Sequence, residues 1–517
     1  MHITSLAPEL VQHIGTQAQE FDVKTLRLVC KWFSELLVGH VLKRLVIFMS
    51  ADEHERGLHM LETLAKSIGH PATYLTTELV LKAIYVPRDD KDSKQTISRL
   101  RGCLGPALRS LRNVVNVSWY GSLTDMLWAR EAVVDALRPT FASLSELRIS
   151  EVRLPSNLTI LDGADMRHLT FLAISTAQDA LEQHILQSLY AISRTIQDCR
   201  STLRCIELDV SLRYFFHRTC RGLVIQEYTG TTAEPSDLEA FQHLKELKLS
   251  MDHIPKSVTP TLPQFLSLRS LDLTLTSARF LSGTSAYYKT STNIWTALAN
   301  TGICLEKIST NRPCGELVNY LCSYSNELKS LAICSLGHKP LSPDGLAIEL
   351  YSRALPLHAE SLQDLTINSL GEWCFGRYLE ESIRGLTFVN LKRFSVVVLV
   401  AYDPDSEAHS DPDPDHLRGL LQMVMQKHNF PSLENLEVRV IKQRALSMRY
   451  NATWRTDGPE RGTQMTAERI AASRLAQYRF AEPLFFQLWV AGVQWYSREA
   501  KPEDGWMCYS VDQKFSI

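Results

Sequence analysis

The chain has 517 residues, of which 45% are hydrophobic and 22% charged, and a formal net charge of -2 from 55 basic and 57 acidic residues. This length exceeds one ordinary core and predicts either about three domains or one elongated repeat array. The balanced charge argues against a general nucleic-acid-binding protein, which usually carries a basic face.

The sequence also bears on cellular compartment. Eleven cysteines are scattered along the chain, none of them paired by the two-residue gap of a redox or zinc motif. They predict reduced thiols in an intracellular protein, cytoplasmic and/or nuclear. No basic region precedes an apolar one at the N-terminus, so we expect no signal peptide. The most apolar run, residues 394–402, is shorter than the ~20 residues that span a bilayer. It predicts a buried strand, and we expect no membrane partner.

The N-terminal segment predicts three short helices. Pro8 suits the first turn of the first helix, and Leu10 and Ile14 fall on one helical face. Asp22 can cap the second helix. The third is predicted by an apolar stripe at three- and four-residue intervals, formed by Trp32, Phe33, Leu36, Leu37, Val41, Leu42 and Leu45. So small a unit buries too little surface to be stable alone, which predicts either a partner or a helical cap on the next domain.

Two segments of this region carry a family resemblance. Residues 6–14 read LAPELVQHI, and residues 21–33 read FDVKTLRLVCKWF. They resemble the F-box family, whose members typically read Leu-Pro-x-Glu-Leu, then isoleucine, and later Leu-Arg-x-Val-Cys-Lys-x-aromatic. The resemblance implies that these helices bind a Skp-type adaptor, which bridges to a cullin scaffold carrying the ubiquitin-transfer machinery. It assigns adaptor contact or motif core to Leu6, Pro8, Glu9, Leu10, Ile14, Leu26, Val29, Cys30 and Trp32.

Two departures from the F-box pattern favour the helical cap instead. Ala7 stands where many F-boxes have proline, and residues 15–19 lack the usual large apolar residue between the helices. If the helices only cap the adjoining domain, the protein is a non-enzymatic repeat scaffold outside ubiquitin transfer.

From residue 77 onward a short phrase recurs, consisting of an aliphatic residue, two others, an aliphatic, one other and an aliphatic. The last two aliphatics alternate with polar residues, as in a short strand with one buried face. Residues 77–82 and 113–117 are degenerate first copies, and the copies at Leu305 and Leu391 are looser. The clear copies begin at Leu144, Leu169, Leu203, Leu244, Leu268, Leu328, Leu362 and Leu433.

Between these phrases, residues 180–190 and 317–322 have helical potential. Strands alternating with helices or loops predict an α/β solenoid of stacked parallel strands, which resembles the leucine-rich-repeat family. The first five clear copies are separated by 25, 34, 41 and 24 residues, and no asparagine follows the strands. We therefore expect an irregular solenoid whose turns close differently from copy to copy. Unrelated βα units in an α/β domain remain an alternative.

The strand period also predicts a binding surface. If the aliphatic residues point inward, the alternate residues line the concave face, where an unknown protein target would bind. Their mixed charge suits protein recognition better than polyanion binding, although an ordinary solvated face explains any single residue equally well. These residues are Arg148, Glu207, Asp209, Lys248, Asp272, Asp364, Thr366, Asn368, Glu437 and Arg439.

The C-terminal region differs in composition. Residues 453–464 predict a loop and residues 467–478 a helix. An aromatic-rich tail comes next, which either caps the last repeat or offers an exposed site to a partner. Its members are Phe485, Phe486, Trp489, Trp495, Tyr496 and Trp506. The predicted domains are a helical motif at 1–48, a solenoid at 49–440 and a cap at 441–517.

We find no motif for catalysis or cofactor binding. Phosphate-loop, nucleophile-turn and dinucleotide patterns are absent from the sequence. His54 and His59 would lie about 140° apart on a helix, too far around to bind one metal together. The acidic run at 403–415 reads as a solvated insertion. The cysteines between 304 and 334 are too irregularly spaced for a zinc site. We expect no metal, no cofactor and no catalytic residue, and a cryptic active site on the concave face is the least favoured hypothesis.

The order of helical motif and repeats leads to one expected function. We expect the substrate-recognition subunit of a Skp-cullin-F-box ubiquitin ligase, which binds a Skp-type adaptor through its N-terminus and a protein target through its repeats. We expect no nucleic-acid partner. The alternative is the repeat scaffold described above.

Overall fold

The structure is a computed structural model that divides into two compact units, Met1–Ser267 (unit 1) and Leu268–Ile517 (unit 2). The division after Ser267 lies inside the predicted array, and the domain boundaries at residues 48 and 440 stay predictions. Among the helices within the described ranges, none combines the length and the hydropathy of a bilayer-spanning segment. The structure describes residues 7–18, 20–49, 54–67, 69–84, 91–120, 127–152, 161, 166–176, 192, 195–196, 198–210, 241–251, 265–274, 288–334, 345–368, 373–375, 379–400, 415–442, 468–469, 471–499 and 505–510.

Unit 1 begins with three short helices, α1 (Pro8–Gln17), α2 (Glu20–Arg27) and α3 (Lys31–Leu42). The predicted proline occupies the first turn of α1. The third helix is shorter than its apolar stripe suggested. Leu45 lies buried in strand β1 (Arg44–Met49), because the chain there changes to alternating burial. The helices share a small core of Val11, Val23, Phe33 and Leu37.

Glycine at position 15, one of the residues where the F-box pattern would have a large apolar side chain, has a packing reason. Gly15 is buried in α1, where α1 lies against α3. A Cβ atom at Gly15 would come within 2.8 Å of Leu37 Cδ2 and 3.0 Å of His40 Cδ2. Glycine therefore lets the two helices approach closely at this point.

The rest of unit 1 is a parallel sheet with helices between the early strands. Strands β1 to β7 pair in chain order, and every pair is parallel. The connections between them are long enough for the crossovers that parallel strands require. After β1 the described elements are α4 (His54–Lys66), α5 (Pro71–Leu75), β2 (Glu78–Ile84), α6 (Lys91–Ser110), β3 (Asn116–Tyr120), α7 (Leu127–Leu137), a 3-10 helix (Arg138–Ser143), β4 (Glu146–Val152), β5 (Phe171–Thr176), β6 (Cys205–Val210) and β7 (Glu246–Met251).

Unit 2 continues the same alternation and ends differently. Strands β8 to β13 and then β15 pair in parallel, whereas β15, β16, β17 and β14 pair antiparallel. Its elements are β8 (Ser270–Thr274), α8 (Tyr288–Thr301), β9 (Lys307–Thr310), α9 (Gly315–Leu321), β10 (Ser330–Ile333), α10 (Leu346–Glu349), a π-helix (Leu350–Ala354), a 3-10 helix (Leu355–His358), β11 (Asp364–Ile367), α11 (Leu379–Arg384), β12 (Arg393–Val400), α12 (His416–Val424), β13 (Asn435–Lys442), β14 (Arg479–Phe480), β15 (Gln487–Val490), β16 (Val493–Glu499) and β17 (Trp506–Ser510).

The predicted α/β class, with open, mainly parallel sheets built from repeated strands, is confirmed. Of the apolar run at 394–402, residues 394–400 lie in β12, and the last two lie outside the described residues. Residues 317–321 of the stretch at 317–322 lie in α9. Residues 471–477 are helical within the helix expected at 467–478. The expected helix at 180–190 and loop at 453–464 lie outside the described residues, as does the acidic run except for its last residue.

The leading leucine of each phrase is a core residue. Each is at most 3% exposed, and its burial contributes roughly 1.5–3 kcal/mol relative to an exposed side chain. The recurring phrase therefore identifies both a strand and the core residue that precedes it. The residues concerned are Leu144, Leu169, Leu203, Leu244, Leu268, Leu305, Leu328, Leu362, Leu391 and Leu433.

A hydrogen bond joins successive copies just before the leading position. Thr202 Oγ1 donates to the Leu169 carbonyl at 2.8 Å, and Ser361 Oγ donates to the Leu328 carbonyl at 2.8 Å. These side chains satisfy main-chain carbonyls that the strand ladder leaves free. The donor position recurs, but the acceptor differs from copy to copy. Ser267, Asn390 and Ser432 donate instead to a carbonyl two residues before the leading leucine of the preceding copy, so the turns share a donor position and still close differently, as expected. The seven donors are Asn113, Ser143, Thr202, Ser267, Ser361, Asn390 and Ser432.

Removing one such hydroxyl should measurably destabilise its unit. Ser361→Ala leaves the Leu328 carbonyl without its side-chain donor, and we expect the free energy of unfolding to fall by about 1 kcal/mol. Ser352→Ala is the matched control, since that exposed hydroxyl bonds only within its own helical turn, to Ile348. Urea denaturation of both variants measures the difference. Equal stability of the two variants would contradict a role for the hydroxyl in joining copies.

Candidate protein-interaction sites

The N-terminal helices expose large apolar side chains. Leu10 and Ile14, one turn apart on α1, are 54% and 45% exposed. Leu28 and Val29, in the turn between α2 and α3, are 87% and 63% exposed. We call these four residues the N-terminal apolar set. Exposed aliphatic side chains gathered on so small a unit are typical of a surface that another protein covers.

The structure separates the residues that the F-box resemblance named. Pro8, Glu9, Leu10, Ile14 and Val29 are exposed and available to a partner. The other described members are half-buried against the small helical core. These are Leu26, Cys30 and Trp32, with the Trp32 ring 5.2 Å from the Phe33 ring. Leu6 lies outside the described residues.

Sequence reasoning missed Leu28, the most exposed apolar residue of the set. Its signal was present. Leu28 and Val29 come directly after the end of α2 at Arg27, so two consecutive aliphatic residues stand where a turn should be polar. Because the pair lies outside both helices, neither residue belongs to the apolar face of a helix, and the pair therefore predicts a contact with another protein.

The helical unit is joined to the first strands without a linker. Only Lys43 separates α3 from β1, and its carbonyl accepts from the main-chain N–H groups of Thr77 and Glu78, at 2.9 and 3.0 Å. The buried Thr76 hydroxyl donates to the Leu42 carbonyl at 2.9 Å. Arg44 and Glu78 form an ion pair at 3.0 Å. The three helices are thus fixed to β1 and β2 of unit 1.

In unit 1 the predicted target residues lie on the face of the sheet opposite the buried aliphatics. Arg148, Glu207 and Lys248 occupy equivalent register positions on β4, β6 and β7. Arg148 Nη1 is 3.9 Å from Glu207 Oε2, and the Arg148 guanidinium lies 3.8 Å from the centre of the Phe171 ring. The face offers alternating charges at strand spacing, which suits a polar protein surface.

Cys205 lies among acidic residues on this face. Its pKa is raised to about 12, first because burial penalises the thiolate and then because Glu246 and Glu207 are close. The thiol therefore stays protonated at neutral pH and is a poor nucleophile. Nearby, Asp209 accepts a hydrogen bond from Ser175 Oγ at 3.3 Å. These contacts are structural.

Unit 2 brings three predicted target residues together. Ser395 Oγ lies 3.3 Å from Asn368 Oδ1 and 3.2 Å from Glu437 Oε2, placed to donate to either. Arg439 Nε donates to Glu437 Oε1 at 3.3 Å. Asn368, Glu437 and Arg439 therefore form one polar cluster that crosses β11 to β13.

Three further target residues lie on unit 2, namely Asp272, Asp364 and Thr366, and Thr366 is the register partner of Ser395. Asp364 accepts from Arg393 Nε, and this bond raises the pKa of the Arg393 guanidinium. Asp272 accepts from Thr274 Oγ1 at 3.1 Å. Over the residues that the structure describes, no group of three His, Cys, Asp or Glu side chains is placed to hold a metal ion.

The C-terminal aromatic tail divides between the two roles considered for it. Phe486 and Trp495 are buried in unit 2, as a cap requires. Trp489 and Tyr496 are exposed, as a contact site requires. Alternation along antiparallel strands explains the division, because successive side chains point to opposite faces.

No family model and no curated protein matches this chain. Among solved structures, it is similar to a chain of the yeast complex of Rad7 and Elc1, with a TM-score of 0.37 and 16% identity over 87% of this chain and 91% of that chain. It is also similar to a Bacteroides fragilis protein, with a TM-score of 0.20 and 8% identity over 78% of this chain and 70% of that chain. Both TM-scores are low, and function is therefore inferred from this chain's own residues.

Proposed function

We propose that this protein is the substrate receptor of a cullin-based ubiquitin ligase, acting in the cytoplasm and/or nucleus. Its N-terminal helices bind a Skp-type adaptor, and the polar faces of its sheets hold a protein target. The chain itself performs no chemistry and needs no cofactor. It acts by raising the effective concentration of the target near a transferase that the adaptor and cullin bring.

The N-terminal apolar set is the observation that carries this proposal. Three of the exposed residues, Leu10, Ile14 and Val29, are positions to which the F-box resemblance assigns adaptor contact or motif core. Covering such side chains is worth roughly 1.5–3 kcal/mol each if they become fully buried. The F-box resemblance comes from the sequence alone, and the exposure of these side chains comes from the fold, so two independent observations support the same surface.

The joint between helices and sheet supports the same function. Because Lys43 alone separates α3 from β1, an adaptor bound to the helices would hold the first strands in a fixed orientation. A receptor benefits from such rigidity, since a flexible connection would lower the effective concentration of its target.

The same joint also favours the second candidate, a repeat scaffold whose helices cap the first strand. α3 packs on α5 and β1, as a cap would. A cap, however, would not require exposed aliphatic side chains such as Leu28 and Val29. Exposed in this way, the two side chains lower the solubility of the protein and make few packing contacts. Adaptor binding separates the two candidates.

Co-expression of the full chain with a Skp-type adaptor, followed by size-exclusion chromatography, tests the proposal. We expect the two proteins to elute together, and a ternary complex to form when the matching cullin is added. Elution of the adaptor apart from the folded chain would overturn the receptor function and leave the scaffold.

A further inference from the structure

The last strands of unit 2 expose three aromatic side chains on one face. Trp489 of β15 is 37% exposed, and Tyr496 of β16 and Tyr509 of β17 are each 39% exposed. Tyr496 and Tyr509 are register partners with ring centroids 5.8 Å apart. Their chain neighbours Trp495 and Cys508 are buried, so the exposed rings belong to the opposite face of the sheet.

Arginine residues lie beside these rings. The Arg498 guanidinium carbon is 5.8 Å from the centre of the Tyr509 ring, within the range of a cation–π contact. Arg479 of β14 and Arg498 of β16 are both register partners of Met507 on β17. The two guanidinium groups therefore share the face that carries the aromatic rings.

Strand β13 extends this face. Glu437 is the register partner of Trp489, and Arg439 stands two residues later on the same side. Arg439 already bonds Glu437 at 3.3 Å. In the described part of the chain, no carboxylate forms an ion pair with Arg479 or Arg498. The aromatic–arginine face comprises Glu437, Arg439, Arg479, Trp489, Tyr496, Arg498, Met507 and Tyr509.

We propose that the aromatic–arginine face binds an extended peptide of a partner protein in which acidic residues stand next to aromatic or aliphatic ones. Tryptophan, tyrosine and arginine are the residues that dominate binding energy at protein interfaces. Three arginines against one glutamate give the face a positive charge, although the whole chain carries -2. Arg479 Nη1 already donates to the main-chain carbonyls of Ala476 and Tyr478, at 3.2 and 3.0 Å. A peptide carboxylate adds an ionic partner to Arg479 or Arg498, and apolar peptide side chains cover the rings.

This inference does not depend on the adaptor. If the proposed function also holds, the aromatic–arginine face is where the ligase target is held. Glu437 stands on β13 at one end of the face, beside Trp489, and its carboxylate repels a polyanion that runs the full width of the face. A peptide with spaced carboxylates therefore fits better than a nucleic-acid strand.

The first test selects ligands with the purified full chain from a phage-displayed library of random peptides. We expect enrichment of peptides that combine Asp or Glu with aromatic or aliphatic residues. A synthetic peptide from that pool is then measured by fluorescence anisotropy, together with a copy in which each acidic residue is replaced by lysine. We expect the lysine copy to bind about tenfold more weakly or worse.

Variants locate the site. The double variant Tyr496→Ala, Tyr509→Ala should bind the acidic peptide about tenfold more weakly or worse. Arg479→Glu with Arg498→Glu should reverse the preference in favour of the lysine copy. The matched control is Phe48→Ala with Tyr120→Ala, which removes two rings of similar exposure, 38% and 42%, from the outer face of unit 1.

Several outcomes would overturn the inference. They are selection of basic peptides, no enrichment at all, equal losses in the control, and tighter binding of a single-stranded oligonucleotide than of any peptide. Adaptor co-elution is measured on the same variants. Lost peptide binding with intact adaptor binding separates this site from the N-terminal one, and failure of either function leaves the other testable.

Discussion

The double variant Leu10→Asp, Val29→Asp should lose adaptor binding by about a thousandfold, since each buried, unpaired carboxylate costs about 2 kcal/mol or more. Both side chains are more than half exposed in the free protein. The folded chain therefore tolerates the charges, and the loss arises only when a partner covers them. Isothermal titration of the adaptor into the variant measures the effect.

The control for this experiment is Leu266→Asp, which places the same charge on another exposed leucine of unit 1, 64% exposed and remote in sequence from the helices. It should bind the adaptor normally. Circular dichroism should show wild-type helix content and melting for both variants. Equal affinity of double variant and wild type would remove the N-terminal apolar set from the proposed interface. Trp32 is unsuitable for this purpose, because it packs against Phe33 and its loss would disturb the helical core.

The strands were predictable because their signal is local and repeated. A leading leucine followed by two alternating aliphatic residues indicates a strand with one buried face, and the leading leucines are indeed buried. The helix-to-strand change at Leu45 was not predictable from spacing alone. Leu42 and Leu45 are three apart, as on a helix, yet Leu45, Ile47 and Met49 already have the period of a strand.

The hydrogen bonds between copies have a sequence signal of their own. Serine, threonine or asparagine precedes the leading aliphatic at seven positions, including Ser361 before Leu362 and Asn390 before Leu391. The asparagine that usually follows the strand in leucine-rich repeats is absent from this chain, and the polar residue that joins the copies stands before the strand. A recurring polar residue next to a recurring core residue is itself a repeat signal, because a buried carbonyl needs a donor.

The candidate sites were predictable only in part, since a sequence motif does not show which of its residues are covered. Leu10 and Cys30 both belong to the F-box-like pattern, but Cys30 is half-buried against the core of the three helices, whereas Leu10 is exposed. The face of the target residues could be deduced from strand alternation. Their grouping could not, because Asn368 and Glu437 come together through the parallel register of β11, β12 and β13.

Removal of residues 1–45 should destabilise unit 1 by several kcal/mol, of which loss of the buried Leu45 alone accounts for about 2–5 kcal/mol. The truncation also removes the Lys43 carbonyl that accepts from Thr77 and Glu78, and the Leu42 carbonyl that accepts from Thr76. This deletion cannot separate a receptor from a scaffold, because the helices support β1 and β2 under either function.

Hydrogen exchange locates the effect of the truncation. Amides in β2 (Glu78–Ile84) should lose protection, whereas those in β11 (Asp364–Ile367) of unit 2 should keep it. Thr76→Val serves as a milder control, because it removes only the hydrogen bond from the Thr76 hydroxyl to the Leu42 carbonyl. It should lower the free energy of unfolding by about 1 kcal/mol. Unchanged protection of β2 in the truncated chain would contradict the structural joint. Because the double variant at Leu10 and Val29 leaves that joint intact, it separates adaptor binding from support of the sheet, as the truncation cannot.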